Sequence, residues 1–223
     1  MKFIVAIVFA SAWLPLAGWS NEAVPMKEPA DFVATPASRS LFKQLREGGY
    51  VLYMLHANTD TSQPDHLPKI DLNDCNTQRP LTQEGLQAAA WIGRQIRRAK
   101  IPINDIIASP LCRTTQTAEA TFGKNYTINN TLMYTASMTR QEKIRVAETT
   151  RELLSKPVAA HTNRVLVAHA QNLMDLIRYL PKPEGIIVIF QPLGNGQFNY
   201  IASLAPDQWR TLQSQSPGIK IEK

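Results

Sequence analysis

Of the 223 residues, 44% are apolar and 19% charged, a balance that excludes both wholesale disorder and a multi-span membrane protein. The length fits one α/β domain of ordinary size with a core of its own. Lys and Arg exceed Asp and Glu by six, densest at Arg97-Arg98 and Lys100. No basic stripe interleaved with aromatics accompanies that excess, so nucleic acid is not an expected partner, whereas an anionic ligand suits the mild positive field. The two cysteines, Cys75 and Cys112, exclude a disulfide framework and a Cys-rich zinc module.

In chain order, residues 1–20 carry Lys2, an almost wholly apolar run from Ile4 to Ala17 with Pro15 inside it, and then Gly18 and Ser20. This is the pattern of a secretory signal peptide cut near Ser20. The run is short for a membrane span, so contact with a membrane is expected only through this segment if it stays uncleaved. Export implies the periplasm or the outside of the cell, where Cys75 and Cys112 are allowed to pair, though the sequence leaves open whether they do. Residues 21–36 are polar with three prolines and read as a flexible leader; the domain is expected over 37–223.

The domain alternates strands and helices. Ser38–Glu47 reads as a short amphipathic helix ended by Gly48-Gly49, and Tyr50–Leu55 as a buried strand. Residues 56–80 form a long polar loop, a length that is often functional. Thr82 caps a helix to about Lys100, with Leu86, Ala89, Ala90, Ile92, Gly93 and Ile96 on its apolar side. Ile103–Ser109 reads as a strand, and Pro110 as the opening of a helix through Phe122. A helix over Arg140–Ser155, a strand over Arg164–Ala168 and a helix over Gln171–Leu180 follow. Ile186–Phe190 and Phe198–Leu204 are strands around a Gly194-Asn195-Gly196 turn. The order predicts a single-domain α/β/α sandwich with a mostly parallel central sheet.

Ligands of open α/β sheets bind outside the carboxyl ends of the strands, so the first polar residues after each strand matter most. Two of the four histidines stand there: His56 in YVLYMLHANTD and His169 in RVLVAHAQNL. Arg113, in IIASPLCRTTQTAEATFG, falls in the first turn of a helix, whose free N–H groups already favour an anion. Its guanidinium adds a planar fork that matches phosphate oxygens. Two histidines, an arginine and a helix N-terminus at one sheet end suit phosphoryl transfer through a covalent histidine, with no cofactor required. A zinc site from His56, Asp60, His66 and Cys75 matches no tight ligand spacing, and no metal is expected.

These segments together resemble the histidine phosphatase superfamily, also called phosphoglycerate mutase-like, over about residues 38–205. The resemblance rests on LHANTD after the first strand, on CNTQRPLTQEGLQAAAWIG followed by IIASPLCRTTQTA, and on VLVAHAQNL. It implies that His56 is the nucleophile that forms phosphohistidine, and that Arg113 and His169 bind the transferring phosphoryl group. It also implies a rim arginine at Arg79. Thr59, three residues after His56, is a candidate phosphate donor or a loop cap, and Asn172 lines the pocket floor or caps the helix after His169. The family has an arginine directly before the nucleophile; here that position is Leu55, a loss of one charge-assisted donor worth about a hundredfold to a thousandfold in rate. A proton for the leaving group is the second gap, with Asp60 and Glu142 as candidates. The expected partner is a phosphorylated small molecule or phosphate itself, acted on by a phosphomonoesterase, or bound by a catalytically weak protein on the same fold. Phosphoglycerate mutase activity is disfavoured by export.

Overall fold

The computed structural model describes residues 32–67 and 70–214, so the expected signal segment 1–20 lies outside the described residues. One six-stranded sheet organises them, in the order β3-β2-β4-β1-β5-β6. Its strands are β1 (Val51–Leu55), β2 (Ile103–Ala108), β3 (Thr127–Ile128), β4 (Asn163–Ala168), β5 (Ile187–Gly194) and β6 (Gln197–Leu204). The first four in space run parallel, and β5 and β6 close one side as an antiparallel hairpin. The expected mostly parallel sheet is therefore present, with an antiparallel edge.

The helices are α1 (Arg39–Glu47), α2 (Gln83–Arg98), α3 (Cys112–Phe122), α4 (Arg140–Ser155), α5 (Ala170–Ile177) and α6 (Gln208–Ser214). Successive strand residues point to opposite faces, and this splits the core in two. Leu52 and Met54 of β1 and Val165 and Val167 of β4 pack with Leu41, Phe42 and Leu45 of α1, Ile92 and Ile96 of α2, Ala118 of α3 and Trp209 of α6. Val51, Tyr53 and Leu55 with Leu166 and Ala168 face the other way, onto Leu154 of α4 and Leu173 of α5. Leu55 is thus a core side chain, buried to 2% exposure. The result is the α/β/α sandwich.

Element boundaries hold within a few residues, with four differences. Pro110 does not open α3; the helix begins at Cys112 with Leu111 as its N-cap. The last strands extend to Gly194 and begin at Gln197, so the hairpin is longer than its apolar stretches. The sheet-edge strand β3 and the helix α6 had no periodic signal strong enough to read. The leader expected to be flexible over 21–36 is attached where it is described: Ser203 N–H donates to the Thr35 carbonyl at 2.8 Å, Ala37 N–H donates to the Ser203 carbonyl at 2.9 Å, and Phe32 stacks on Tyr179 at 4.3 Å. The free edge of β6 captures this segment, which three prolines had disguised as loop.

Two glycines set the distance between α2 and its neighbours. A Cβ on Gly85 would lie 2.2 Å from the Asn58 carbonyl oxygen, and one on Gly93 2.1 Å from that of Thr121. Only glycine lets α2 approach these backbones. Thr82 caps α2 through Gly85 N–H at 2.9 Å and donates its own N–H to the Asn58 carbonyl at 2.9 Å. The start of α2 is thereby fastened to the loop two residues past His56.

Candidate active site

The parallel register brings the two histidines together. Leu55 pairs with Ala168, so the next residue of each strand, His56 and His169, leaves the sheet side by side. His56 N–H donates to the Ala168 carbonyl at 3.1 Å, and the rings lie 5.5 Å apart between centroids. Ser109, the first residue after β2, donates its N–H to the Val167 carbonyl and sets its Oγ 2.9 Å from His169 Nε2. Tyr53 Oη donates to the His169 carbonyl at 2.8 Å and fixes the backbone there.

Both imidazoles are buried. Burial disfavours the charged ring, and the nearby Arg113 and Arg79 guanidiniums act in the same sense. The His56 pKa is pushed down from 6.5 to about 3, against the opposing effect of its bond to the Ala57 carbonyl. His169 is likewise held well below its ordinary value. Both rings are therefore neutral at ordinary pH. His56 Nδ1 lies 3.0 Å from the Ala57 carbonyl oxygen, which accepts only from an N–H; this assigns the proton to Nδ1 and leaves the lone pair on Nε2.

Arg113 is fully buried. Its Nη1 donates to Asp65 Oδ1 at 2.9 Å, its guanidinium carbon stands 5.0 Å from the centre of the Tyr134 ring, and its Nε and Nη2 have no protein partner. Leaving a buried donor unpaired costs about 1–3 kcal/mol, more for a charged group. A fold keeps such donors where an anion will take them. Arg79 Nε, His169 Nδ1 and both amide atoms of Asn172 are likewise buried without a protein partner, as is Trp209 Nε1 in the core beneath α6. Asn172 does not cap α5, whose N-cap is His169.

The loop over 56–80 is tied down at several points. Cys75 and Cys112 form a disulfide, joining a 3-10 turn, Cys75–Thr77, to the first residue of α3, directly before Arg113. Gln78 Oε1 accepts Cys112 N–H at 2.8 Å, and its amide donates to the Asp71 carbonyl. Asp65 Oδ1 accepts Arg79 N–H at 2.8 Å besides Arg113. A cavity of about 250 Å³ opens here, lined by Thr61, Pro64, Asp65, Leu67, Arg79 and Tyr134.

Several expected residues take other posts. Thr59 spends its hydroxyl on Glu184, at 3.0 Å, rather than facing an anion. Asp60 accepts from Ser62 N–H at 2.9 Å and from the Gln63 amide at 2.7 Å, and Glu142 completes the capping box of α4 with Thr139. These bonds stabilise both carboxylates and hold their pKa values below the ordinary range, the reverse of what a proton donor needs. The zinc alternative fails because Cys75 is oxidised; among the described residues no group of three His, Cys, Asp or Glu is placed to hold a metal ion. Sequence reasoning missed Asp65, Tyr134 and Glu184, which no local pattern marks. Ser109 was within reach, as the first polar residue after β2.

Residues 74–133 match the model of the histidine phosphatase superfamily, branch 1. Among solved structures, a putative α-ribazole-5′-P phosphatase from Escherichia coli aligns over 70% of this chain and 97% of its own, at 13% identity and a TM-score of 0.52. The α-ribazole phosphatase from Shigella flexneri covers 70% and 96%, at 13% identity and a TM-score of 0.51. The protein histidine phosphatase SixA complexed with tungstate covers 71% and 98%, at 16% identity and a TM-score of 0.49. No curated protein matches. At these identities the likeness to the solved structures is one of fold.

Proposed function

For a chain with the fold and the signature segment of the histidine phosphatase superfamily, we propose phosphomonoester hydrolysis through a phosphohistidine on His56. The observation that carries this reading is Arg113: a fully buried guanidinium with two unpartnered N–H-bearing nitrogens, close enough to two neutral imidazoles to depress both. A dianionic phosphoryl group satisfies those donors at once.

In the proposed reaction His56 Nε2 attacks phosphorus, the Nε2–P bond forms, and the ester P–O bond breaks with its electron pair leaving on the alcohol oxygen. Nδ1 keeps its proton on the Ala57 carbonyl, so the phosphorylated ring is cationic. Water then attacks phosphorus, the N–P pair returns to the ring, and the water proton passes to solvent. Arg113, Arg79 and His169 Nδ1 stabilise the equatorial oxygens, with Ser109 Oγ as donor to His169 Nε2. With Asp60 and Glu142 engaged elsewhere, the leaving oxygen takes its proton from water, which favours esters of acidic alcohols such as phenols. Leu55 leaves the pocket without a guanidinium on β1 and predicts modest turnover. The proposed location is the periplasm or the exterior, and the Cys75–Cys112 disulfide supports an oxidising compartment.

A second reading, phosphate binding without turnover, is favoured by Leu55 and by the engaged carboxylates. Aryl phosphate turnover by wild type, His56→Ala and Leu55→Arg separates the two. The hydrolase reading expects turnover by wild type and acid-labile, alkali-stable phosphate on it but not on His56→Ala. It fails if wild type is no faster than His56→Ala, and then calorimetry with inorganic phosphate tests the binding reading.

A further inference from the structure

Glu184 belongs to no motif, yet it touches three parts of the site. It sits in the turn between α5 and β5, which is locked to the end of β1 because Gly185 N–H donates to the His56 carbonyl at 2.9 Å and Leu55 N–H donates to the Ile186 carbonyl at 3.0 Å. Its carboxylate is gripped by Thr59: Oε2 accepts the backbone N–H at 2.9 Å, and Oε1 accepts the hydroxyl at 3.0 Å. Oε1 also stands 3.6 Å from Arg79 Nη2 and 3.8 Å from His56 Nδ1. The Glu184 side chain is 31% exposed and that of Arg79 23%. At that exposure an isolated ion pair contributes little to stability, so this arrangement is poorly explained as a structural bridge alone.

Arg79 has a particular need of such a clamp. It comes from a long loop rather than from a strand, and its buried Nε has no protein partner. Asp65 fixes its backbone N–H but not its guanidinium. A long side chain held at one end loses affinity to its own rotamer freedom. We propose that Glu184 is a positioning residue that holds the Arg79 guanidinium at the phosphoryl pocket, so that a loop arginine supplies the second guanidinium where β1 offers Leu55. Thr59 in turn fixes the carboxylate, and this gives the Thr59 hydroxyl a purpose other than contact with phosphate. The inference rests on the proposed phosphoryl site, but on its binding function and not on turnover.

The test is a double-mutant cycle read by equilibrium binding of inorganic phosphate to the full chain, with aryl phosphate KM and kcat measured in parallel. Glu184→Gln keeps the shape and the acceptor for Thr59 but removes the charge. It is expected to weaken phosphate about tenfold, within the usual range of side-chain couplings, with an unchanged melting temperature. In an Arg79→Ala background the same substitution is expected to change the affinity less than twofold, because the carboxylate acts through Arg79. Thr59→Val is expected to weaken phosphate in the same direction and by less. Equal effects of Glu184→Gln with and without Arg79, or no effect on phosphate in either background, would overturn the proposal. Wild type that binds phosphate without turning over the ester sinks the hydrolase reading alone, and the binding cycle still decides the role of Glu184. Wild type that binds no phosphate overturns both.

Discussion

The candidate site has a floor and a rim, and the two are held by different means. The floor consists of His56, His169 and Ser109, each the first residue beyond a strand, with Arg113 in the first turn of α3. Main-chain ladders place the first three: the Leu55–Ala168 pair sets the two histidines abreast, and Ser109 is bonded to Val167, while Arg113 is carried by the first turn of α3. The rim consists of Asp65, Arg79 and Glu184, from a loop and a turn. No ladder fixes them; a disulfide, side-chain bonds and ion pairs do. Regular structure gives the floor its position almost free of local sequence, whereas each rim residue depends on a few identifiable ties. Changes at the floor should strike chemistry, and changes at the rim should strike affinity and loop stability.

The sharpest way to break this comparison is at the nucleophile. His56→Ala is expected to lower aryl phosphate turnover roughly a thousandfold or more, since loss of a nucleophile removes the covalent route altogether. Steady-state kinetics checks it, and residual turnover near wild type would move the chemistry away from the floor.

The largest rim effect is expected from the disulfide. Its cysteines are 37 residues apart, and closing a loop of that size restricts the unfolded chain by about 4 kcal/mol. Cys75→Ser with Cys112→Ser should lower the denaturant midpoint accordingly and weaken phosphate binding, because Arg113 directly follows one cysteine. An unchanged phosphate affinity would separate the loop from the pocket.

The floor should also show in acid. His56 has a folded pKa of about 3 against 6.5 in the unfolded chain, so below pH 6.5 the unfolded state binds the proton that the folded state refuses. Stability is full above about pH 6.5 and falls as the pH drops toward 3. From pH 7 to pH 5 this single group removes about 2 kcal/mol. His169, also depressed, adds loss of the same sign. Denaturant unfolding across that range measures the slope, and His56→Gln should flatten it.

The smallest effect concerns the carboxylate that leans from rim to floor. Asp65→Asn removes the charge that Arg113 Nη1 now holds at 2.9 Å. Because Arg113, unlike Arg79, is held by full burial and by the Tyr134 ring, it needs no carboxylate to position it, and inorganic phosphate should then bind about fivefold more tightly, an electrostatic gain of about 1 kcal/mol, as read by calorimetry.

The floor was readable because its rule is local: an apolar run, then a polar residue. His56 and His169 obey it, and Ser109 obeys it too although it was passed over; Arg113 was legible from a second local signal, an arginine in the first turn of the helix after β2. Of the rim only Arg79 was readable, through the family resemblance; Asp65 and Glu184 were not. Asp60 and Glu142 stood at plausible spacings, but a carboxylate's worth as an acid depends on what it accepts, and both accept bonds that keep them ionised. Thr59 and Glu184 are 125 residues apart and meet through the antiparallel pairing of β5 with β1, which no periodicity announces.

Hydrophobic periodicity and strand-end polarity thus determined the sandwich, the order of its layers and the two histidines with their arginine, because burial and the alternation of strand faces are properties of neighbouring residues. Tertiary structure decided the rest: that Cys75 and Cys112 pair, that the segment from Phe32 to Pro36 docks along β6, and that Asp65 and Glu184 close on the site beside Arg79. Those contacts span distant parts of the chain and depend on which way each side chain is held, and only the packed fold fixes that.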